Sequence, residues 1–241
     1  MWDLRAIRFS SKTPTTSNRS VVLHQRTVRY ANNAANCIDL FGPKILSDEF
    51  QIYEIGAGYG GECKIFNDYA TTLYSRSLRN WTTFDLPSSY GLIRKFLSQF
   101  GYQMEAESLE AFVAPNRPSL VMSNAALSEM RGSLLETYME RVVRPASHGY
   151  FITNFDTHSK PYGGWSTEEF LRALHRMGKG DARELHTISY LSHFDKCVGS
   201  RLIVFGTNAP TKRNVYSWVD VAKIIAIQKA YSITRRLMVG A

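Results

Sequence analysis

A glycine-rich turn near residue 56 is the part of the sequence whose residue spacing most clearly suggests chemistry. An apolar run from Gln51 leads into Glu54, and glycines then occupy positions 56, 58, 60 and 61 before a helical pattern begins. Glycine reaches positive φ angles and has no Cβ, so a ligand can lie against the backbone amides at the start of that helix. The stretch therefore predicts a site for a nucleotide-like ligand.

An acidic residue follows the second predicted strand. Asp85 comes directly after the segment Thr82 to Phe84, and it lies beside the glycine turn if the two strands are neighbours. A carboxylate in that position can accept both hydrogen bonds from a ribose diol. The alternative is that Asp85 only caps the helix that starts near Ser88. The glycines also fit the dinucleotide pattern G-x-G-x-x-G, so the turn alone leaves both a nicotinamide cofactor and S-adenosylmethionine open.

Two further features favour S-adenosylmethionine. Glu54 precedes the first glycine by two residues, where an acid can organise the turn and the cationic methionine end of that cofactor. The last two extended segments, 184–191 and 201–205, follow one another with no helical pattern between them, which indicates an antiparallel end to the sheet. Such an end suits a seven-stranded methyltransferase sheet better than a six-stranded parallel one.

Three motifs together resemble those of the sugar O-methyltransferase family, whose members are class I, S-adenosylmethionine-dependent enzymes. The motifs are Glu54-Ile-Gly-Ala-Gly-Tyr-Gly-Gly61, Phe84-Asp-Leu-Pro87 and Ser123-Asn-Ala-Ala-Leu-Ser-Glu-Met130. The resemblance covers about residues 50 to 155, and the sequence departs from it at residues 124–126 and after residue 154. It implies that the turn and the acid at 85 hold the cofactor, while the third motif lies by the transfer site. The predicted cofactor-binding residues are Glu54, Gly56, Ala57, Gly58, Gly60, Gly61, Asp85, Leu86, Ser123 and Asn124.

The alternation of short strand-like runs with amphipathic helical segments after Asp48 is typical of βαβ units. We therefore predict an α/β fold with a Rossmann-like, seven-stranded class I methyltransferase sheet, mostly parallel, whose last strand is antiparallel. Residues 1–47 are interpreted as a leader and helical cap, 48–208 as the methyltransferase domain and 209–241 as a C-terminal amphipathic helix. That helix either packs on the domain or mediates a homodimer.

The candidates for methyl transfer lie in the loops after the fourth and fifth strands, because ligands in open α/β sheets bind beyond the carboxyl ends of the strands. A sulfonium is a strong electrophile, so the protein mainly has to align a hydroxyl and remove its proton. Glu129 or His158 is the predicted base, and Asp156 would orient the acceptor or the histidine. Alternatively, Glu129 caps the next helix and the other two are ordinary loop residues. No carboxylate cluster has the spacing of a metal site, although a metal requirement stays open.

Composition leaves the acceptor undecided. The chain has 29 Lys and Arg against 21 Asp and Glu, a net charge of +8, which favours an anionic partner. A small-molecule or glycan acceptor is the main hypothesis. An RNA methyltransferase is the alternative, although no Asn-Pro-Pro-Tyr type sequence is present, and a non-catalytic interaction subunit is a third reading.

The cellular setting follows from the cysteines and the apolar runs. Three dispersed cysteines indicate a reducing cytoplasm, and no apolar run is long enough to span a bilayer. We therefore expect a soluble, cytoplasmic protein with no transmembrane segment.

Overall fold

A central sheet of seven strands with helices on both faces forms the described part of the chain. The computed structural model describes residues 25–102, 104–159, 164–185 and 200–207. The strands are β1 (Gln51–Ile55), β2 (Trp81–Phe84), β3 (Glu105–Ala106), β4 (Ser119–Asn124), β5 (His148–Thr153), β6 (Arg183–Glu184) and β7 (Arg201–Phe205). The helices are α1 (Gln25–Phe41), α2 (Gly61–Tyr74), α3 (Pro87–Ser98), α4 (Ala126–Glu129), α5 (Gly132–Tyr138) and α6 (Thr167–Arg176).

The strand order is β3-β2-β1-β4-β5-β7-β6. Strand β1 pairs in parallel with both β2 and β4, whereas β7 runs antiparallel to both β5 and β6. The chain moves outward from β1 to β3 and then returns to the other side of β1, so the order reverses between β1 and β4. Open α/β sheets bind ligands at such a switch point. The predicted seven-stranded sheet with an antiparallel last strand is confirmed.

The two faces of the sheet carry separate apolar clusters. One cluster joins α1, α2 and α3 to the strands, and the other joins α5 and α6 to the opposite face. Along β1, Ile52 packs in the first cluster and Tyr53 in the second, as the two-residue period of a strand requires. Glu54 therefore lies on the same face as Ile52, towards α1 and α2.

Helix α1 is part of this core. Tyr30, Ala34 and Cys37 are spaced by one turn, are all buried, and belong to the cluster that contains α2. The helix ends at Phe41, before Gly42 at φ 83° and a short 3₁₀ turn at Pro43–Leu46, as the Gly-Pro pair predicts. The helical cap consequently packs directly beside the glycine turn.

Several predicted boundaries differ from the structure. The apolar pattern of the sequence predicts a short strand at 102–105 and a helix at 133–143. In the structure, β3 is at 105–106, and the helix is α5 followed by a wider π-helical turn at Met139–Val143. The strand predicted at 184–191 is described only at its start, as β6, because residues 186–199 lie outside the described residues. The leader 1–24 and the predicted C-terminal helix 209–241 also lie outside them. Among the described helices, none is both long and apolar enough to cross a membrane.

Candidate active site

The glycine turn links the buried end of β1 to the start of α2. Gly56 donates its N–H to the Phe84 carbonyl at 2.8 Å, which holds the turn against the end of β2. Gly56, Gly58 and Gly60 have φ angles of +82°, +61° and +89°, which side chains rarely tolerate. A Cβ at Gly56 would lie 2.2 Å from the Ala126 Cβ, whereas a Cβ at Gly58 would enter open space. The turn is closed on the side of α4 and open at Gly58.

Asp85 lies directly against this turn. The Gly58 N–H donates to its Oδ2 atom at 2.9 Å, and the Leu86 N–H donates to its Oδ1 atom at 2.7 Å. Each carboxylate oxygen has a second lone pair that can accept from another donor. The N-cap of α3 is Leu86, which makes no side-chain capping bond, so Asp85 does not serve as the cap of that helix. The structure thus brings Asp85 and the turn together.

Glu54 lies beneath the turn and not on its surface. Its side chain is 2% exposed, and the Trp81 indole N–H donates to its Oε2 atom at 3.0 Å. Burial raises the pKa of Glu54 well above its usual range, the nearby Glu62 carboxylate raises it further, and the bond from Trp81 opposes the rise. Glu54 therefore joins the end of β1 to β2 beneath the turn and stabilises it. This is consistent with the prediction that Glu54 organises the glycine turn.

Glu62 is a second buried acid, to which the sequence motif assigned no role. It stands in the first turn of α2, is 3% exposed, and accepts a 2.7 Å hydrogen bond from the Asn33 amide of α1. Burial raises its pKa to about 7, although Asn33, Arg29 and Asn124 favour the charged form. The only feature of the sequence that could have indicated a role for Glu62 is its position directly after the last glycine of the turn. Its partner is 29 residues away, so that signal could not reveal the contact.

The buried Glu62 carboxyl makes stability depend on pH. Its pKa is higher in the folded chain than in the unfolded one, so the folded chain binds this proton more tightly. The stabilisation that the bound proton provides is present near pH 5 and is lost as the pH rises through 7. We expect this group to lower the free energy of unfolding by about 2–3 kcal/mol between pH 5 and pH 8. Glu62→Gln removes the titration, so urea unfolding should show a flatter pH profile for the variant. Equal slopes for the two proteins would contradict the assignment.

The loops after β4 and β5 meet at the same edge of the sheet. Ser123, at the end of β4, accepts the Leu127 N–H with its hydroxyl oxygen at 3.3 Å and so supports the short helix α4. Ala125 has a φ of +73°, a conformation that is unfavourable for a residue with a Cβ. The Ser128 hydroxyl hydrogen-bonds Asn154, whose own N–H donates back to Ser128 at 3.2 Å. The two loops that were predicted to border the transfer site are therefore joined.

The predicted catalytic residues lie near this junction. Glu129 is exposed at the end of α4, which contacts the π-helical turn Phe155–Ser159. Asp156 in that turn accepts hydrogen bonds from the Thr167 N–H at 3.1 Å and from the Thr167 hydroxyl at 2.7 Å, so it also supports the start of α6. The side chain of His158 lies outside the described residues. Within the described ranges, no group of three or more His, Cys, Asp or Glu side chains could hold a metal ion.

Several solved methyltransferase structures have a similar fold. The N-terminal domain of EvdMO1, studied in the presence of SAH and D-fucose, aligns with a TM-score of 0.51 and 11% identity over 74% of this chain and 83% of that one. An S-adenosylmethionine-dependent methyltransferase from Clostridium acetobutylicum aligns with a TM-score of 0.50 and 10% identity over 74% of this chain and 90% of that one. A candidate sarcosine dimethylglycine methyltransferase from Galdieria sulphuraria aligns with a TM-score of 0.51 and 11% identity over 75% of this chain and 86% of that one.

These likenesses, together with the strand order, establish the fold as that of class I methyltransferases. A comparison of the sequence with protein-family models gives no match, and neither does a comparison with curated proteins.

Proposed function

We propose that this chain binds S-adenosylmethionine and transfers its methyl group to a hydroxyl of a sugar or another small molecule in the cytoplasm. The observation that carries the proposal is the contact between Asp85 and Gly58 at the switch point of the sheet. A ribose diol needs two acceptor sites at such a place, and the Asp85 carboxylate can supply them.

The charge around the turn favours S-adenosylmethionine over a nicotinamide dinucleotide. Asp85 places a carboxylate directly against the turn, and Glu62 is a second acid that is partly ionised near pH 7, because its pKa is about 7. The pyrophosphate of a dinucleotide is an anion and would meet these groups unfavourably. S-adenosylmethionine instead carries a sulfonium and an ammonium, which such a site attracts.

A hydroxyl acceptor requires a base, because its proton is not acidic in water. We propose Glu129 or His158 for this role, with Asp156 orienting the histidine or the acceptor. Support comes from the junction of Ser128 with Asn154, which places the loops of both candidates at one edge. The sugar class is supported by the motif resemblance and by the use of D-fucose with EvdMO1, a protein of similar fold.

Isothermal titration calorimetry tests the cofactor. We expect S-adenosylmethionine and S-adenosylhomocysteine, the product left after methyl transfer, to bind with micromolar affinity, and NAD to show no measurable heat. Binding of NAD with the higher affinity would overturn the proposal. The measurement needs no knowledge of the acceptor.

Methyl transfer itself is tested with a labelled donor and a panel of monosaccharides, sugar nucleotides and glycans. We expect incorporation into a hydroxyl of at least one of them. Loss of the base should lower turnover by about 10²- to 10⁴-fold in Glu129→Gln or in His158→Ala, with donor binding retained. If both variants keep turnover near the wild-type value, the base proposal fails. Label incorporated only into RNA, with salt-dependent binding, would support the nucleic-acid alternative instead.

A further inference from the structure

Helix α1 is attached to the sheet differently from α2 and α3. Each of those two helices connects two strands, so both of its ends are fixed. Within the described residues, only the C-terminal end of α1 continues into a strand, and the Thr207 hydroxyl holds that end by donating to the Leu40 carbonyl at 2.8 Å. Gly42 follows with a φ of 83° and open space where a Cβ would lie. Such a glycine can absorb the dihedral changes of a hinge.

A chain of side-chain hydrogen bonds runs between α1 and the elements beneath it. Asn36 donates its amide to the Tyr150 hydroxyl at 3.4 Å, and that hydroxyl donates to the Asn33 Oδ1 atom at 3.3 Å. Asn33 in turn donates its amide to Glu62 at 2.7 Å. All four side chains are buried. Because Tyr150 belongs to β5 and Glu62 to α2, this polar seam of four side chains joins α1 to both the sheet and its neighbouring helix.

The polar seam lowers the free-energy cost of separating α1 from the domain. Amides, hydroxyls and carboxyls that part from one another can bond to water instead, so each lost bond costs only about 0.5–1.5 kcal/mol net. Exposed apolar surface has no such compensation and costs about 25 cal/mol per Å². The apolar contacts of α1 in the same cluster include two small side chains, Ala34 and Cys37. Release of α1 should therefore cost less than unfolding of the sheet, whose strands are bonded along their backbones.

Helix α1 also contacts the glycine turn and the start of α2. The Tyr30 ring centroid lies 6.1 Å from that of Tyr59, and a Cβ at Gly61 would lie 2.6 Å from the Tyr30 ring. The next residue, Glu62, accepts the hydrogen bond from Asn33. Positions 59, 61 and 62 would thus each lose a neighbour if α1 left. The conformation of the turn is therefore coupled to the docking of α1.

We infer that α1 is a cap that undocks as a unit, by breaking the polar seam and turning about Gly42, and that the glycine turn binds the methyl donor only while this cap is docked. The second half of the inference rests on the proposed function. If only the docked state binds the donor, the donor must stabilise docking by the same free energy by which docking favours the donor. This coupling does not require the donor to touch α1.

Cys37 reports the docking of α1 directly. Its thiol is 0% exposed in the cluster that joins α1 to the sheet, so N-ethylmaleimide can reach it only when α1 leaves or the whole domain unfolds. The variant Val121→Cys places a second reporter in the middle of β4, on the opposite face, where only unfolding exposes it. Peptide mass spectrometry measures both sites in one sample. We expect Cys37 to be labelled at least about tenfold faster than the reporter in β4.

S-adenosylhomocysteine tests the coupling to the donor. At 100 times its dissociation constant it should slow the labelling of Cys37 at least about tenfold. If Cys37 and the reporter in β4 are labelled at equal rates, α1 does not undock as a unit. If the ligand binds but leaves the Cys37 rate unchanged, the coupling is wrong while the proposed function stands. If the ligand does not bind at all, the proposed function itself fails.

Two tyrosine variants test the polar seam. Tyr150→Phe removes the hydroxyl at its centre, which bonds both Asn33 and Asn36, and should raise the Cys37 rate about tenfold. Tyr53→Phe is the matched control, because the buried Tyr53 hydroxyl makes no hydrogen bond within the described residues and lies on the opposite face. It should leave the Cys37 rate unchanged. Equal effects of the two variants would show that the polar seam does not hold the cap.

Discussion

Asp85→Asn should lower the affinity for S-adenosylhomocysteine about 100-fold, the largest binding effect that we expect from a single polar substitution. The carboxylate offers acceptor sites for a ribose diol, and an asparagine replaces one of the two oxygens by a donor. Hydrogen bonds to charged groups contribute about 1.5–3 kcal/mol, and about 1.4 kcal/mol corresponds to a tenfold change in affinity. Calorimetry at a single pH measures the loss directly.

The fold should survive this substitution. The remaining oxygen of the asparagine can still accept the Gly58 N–H, which Asp85 accepts at 2.9 Å in the structure. Glu136→Gln is a matched control, because Glu136 is an exposed acid on α5, on the opposite face of the sheet. It should bind S-adenosylhomocysteine as the wild type does. If Asp85→Asn binds as tightly as this control, Asp85 does not hold the ribose.

The sequence predicted those parts of the fold that depend on local signals. The strand-like run that starts at Gln51 and the extended segment 201–205 correspond to β1 and β7, because each is a short run in which apolar, β-branched and aromatic residues predominate. The meeting of Asp85 with the turn was also predictable. A glycine turn after one strand and an acid after its neighbour must come together when parallel strands end at the same edge.

The parts that sequence reasoning missed depend on packing between distant segments. The bond from Asn33 to Glu62 exists because α1 packs on α2, and no local pattern reports that contact. Likewise, Ala125 adopts a left-handed conformation that glycine or asparagine normally occupies, so its residue type gave no sign of the turn before α4. Nor does the spacing of Asp156 and Thr167 by 11 residues signal their hydrogen bonds.

Gly58→Ala should abolish most donor binding while the protein stays folded. Gly58 is exposed, its φ is +61°, and an added Cβ would meet no protein atom within 4 Å. The methyl group would instead occupy the open side of the turn, where we propose that the donor lies against the backbone. We expect a decrease of about 1 kcal/mol in the free energy of unfolding from the left-handed conformation, and a loss of affinity of about tenfold to 100-fold.

Gly178→Ala provides the matched control, because it isolates the backbone effect from the effect on the ligand. Gly178 has a φ of +84° and equally open space for a Cβ, but it follows α6 on the other face of the sheet. Its alanine variant should lose similar stability in urea unfolding and keep full affinity for S-adenosylhomocysteine. If both variants keep full affinity, the donor does not contact the turn at Gly58. If both lose affinity in proportion to stability, the loss reflects folding, and the turn does not act as a binding surface.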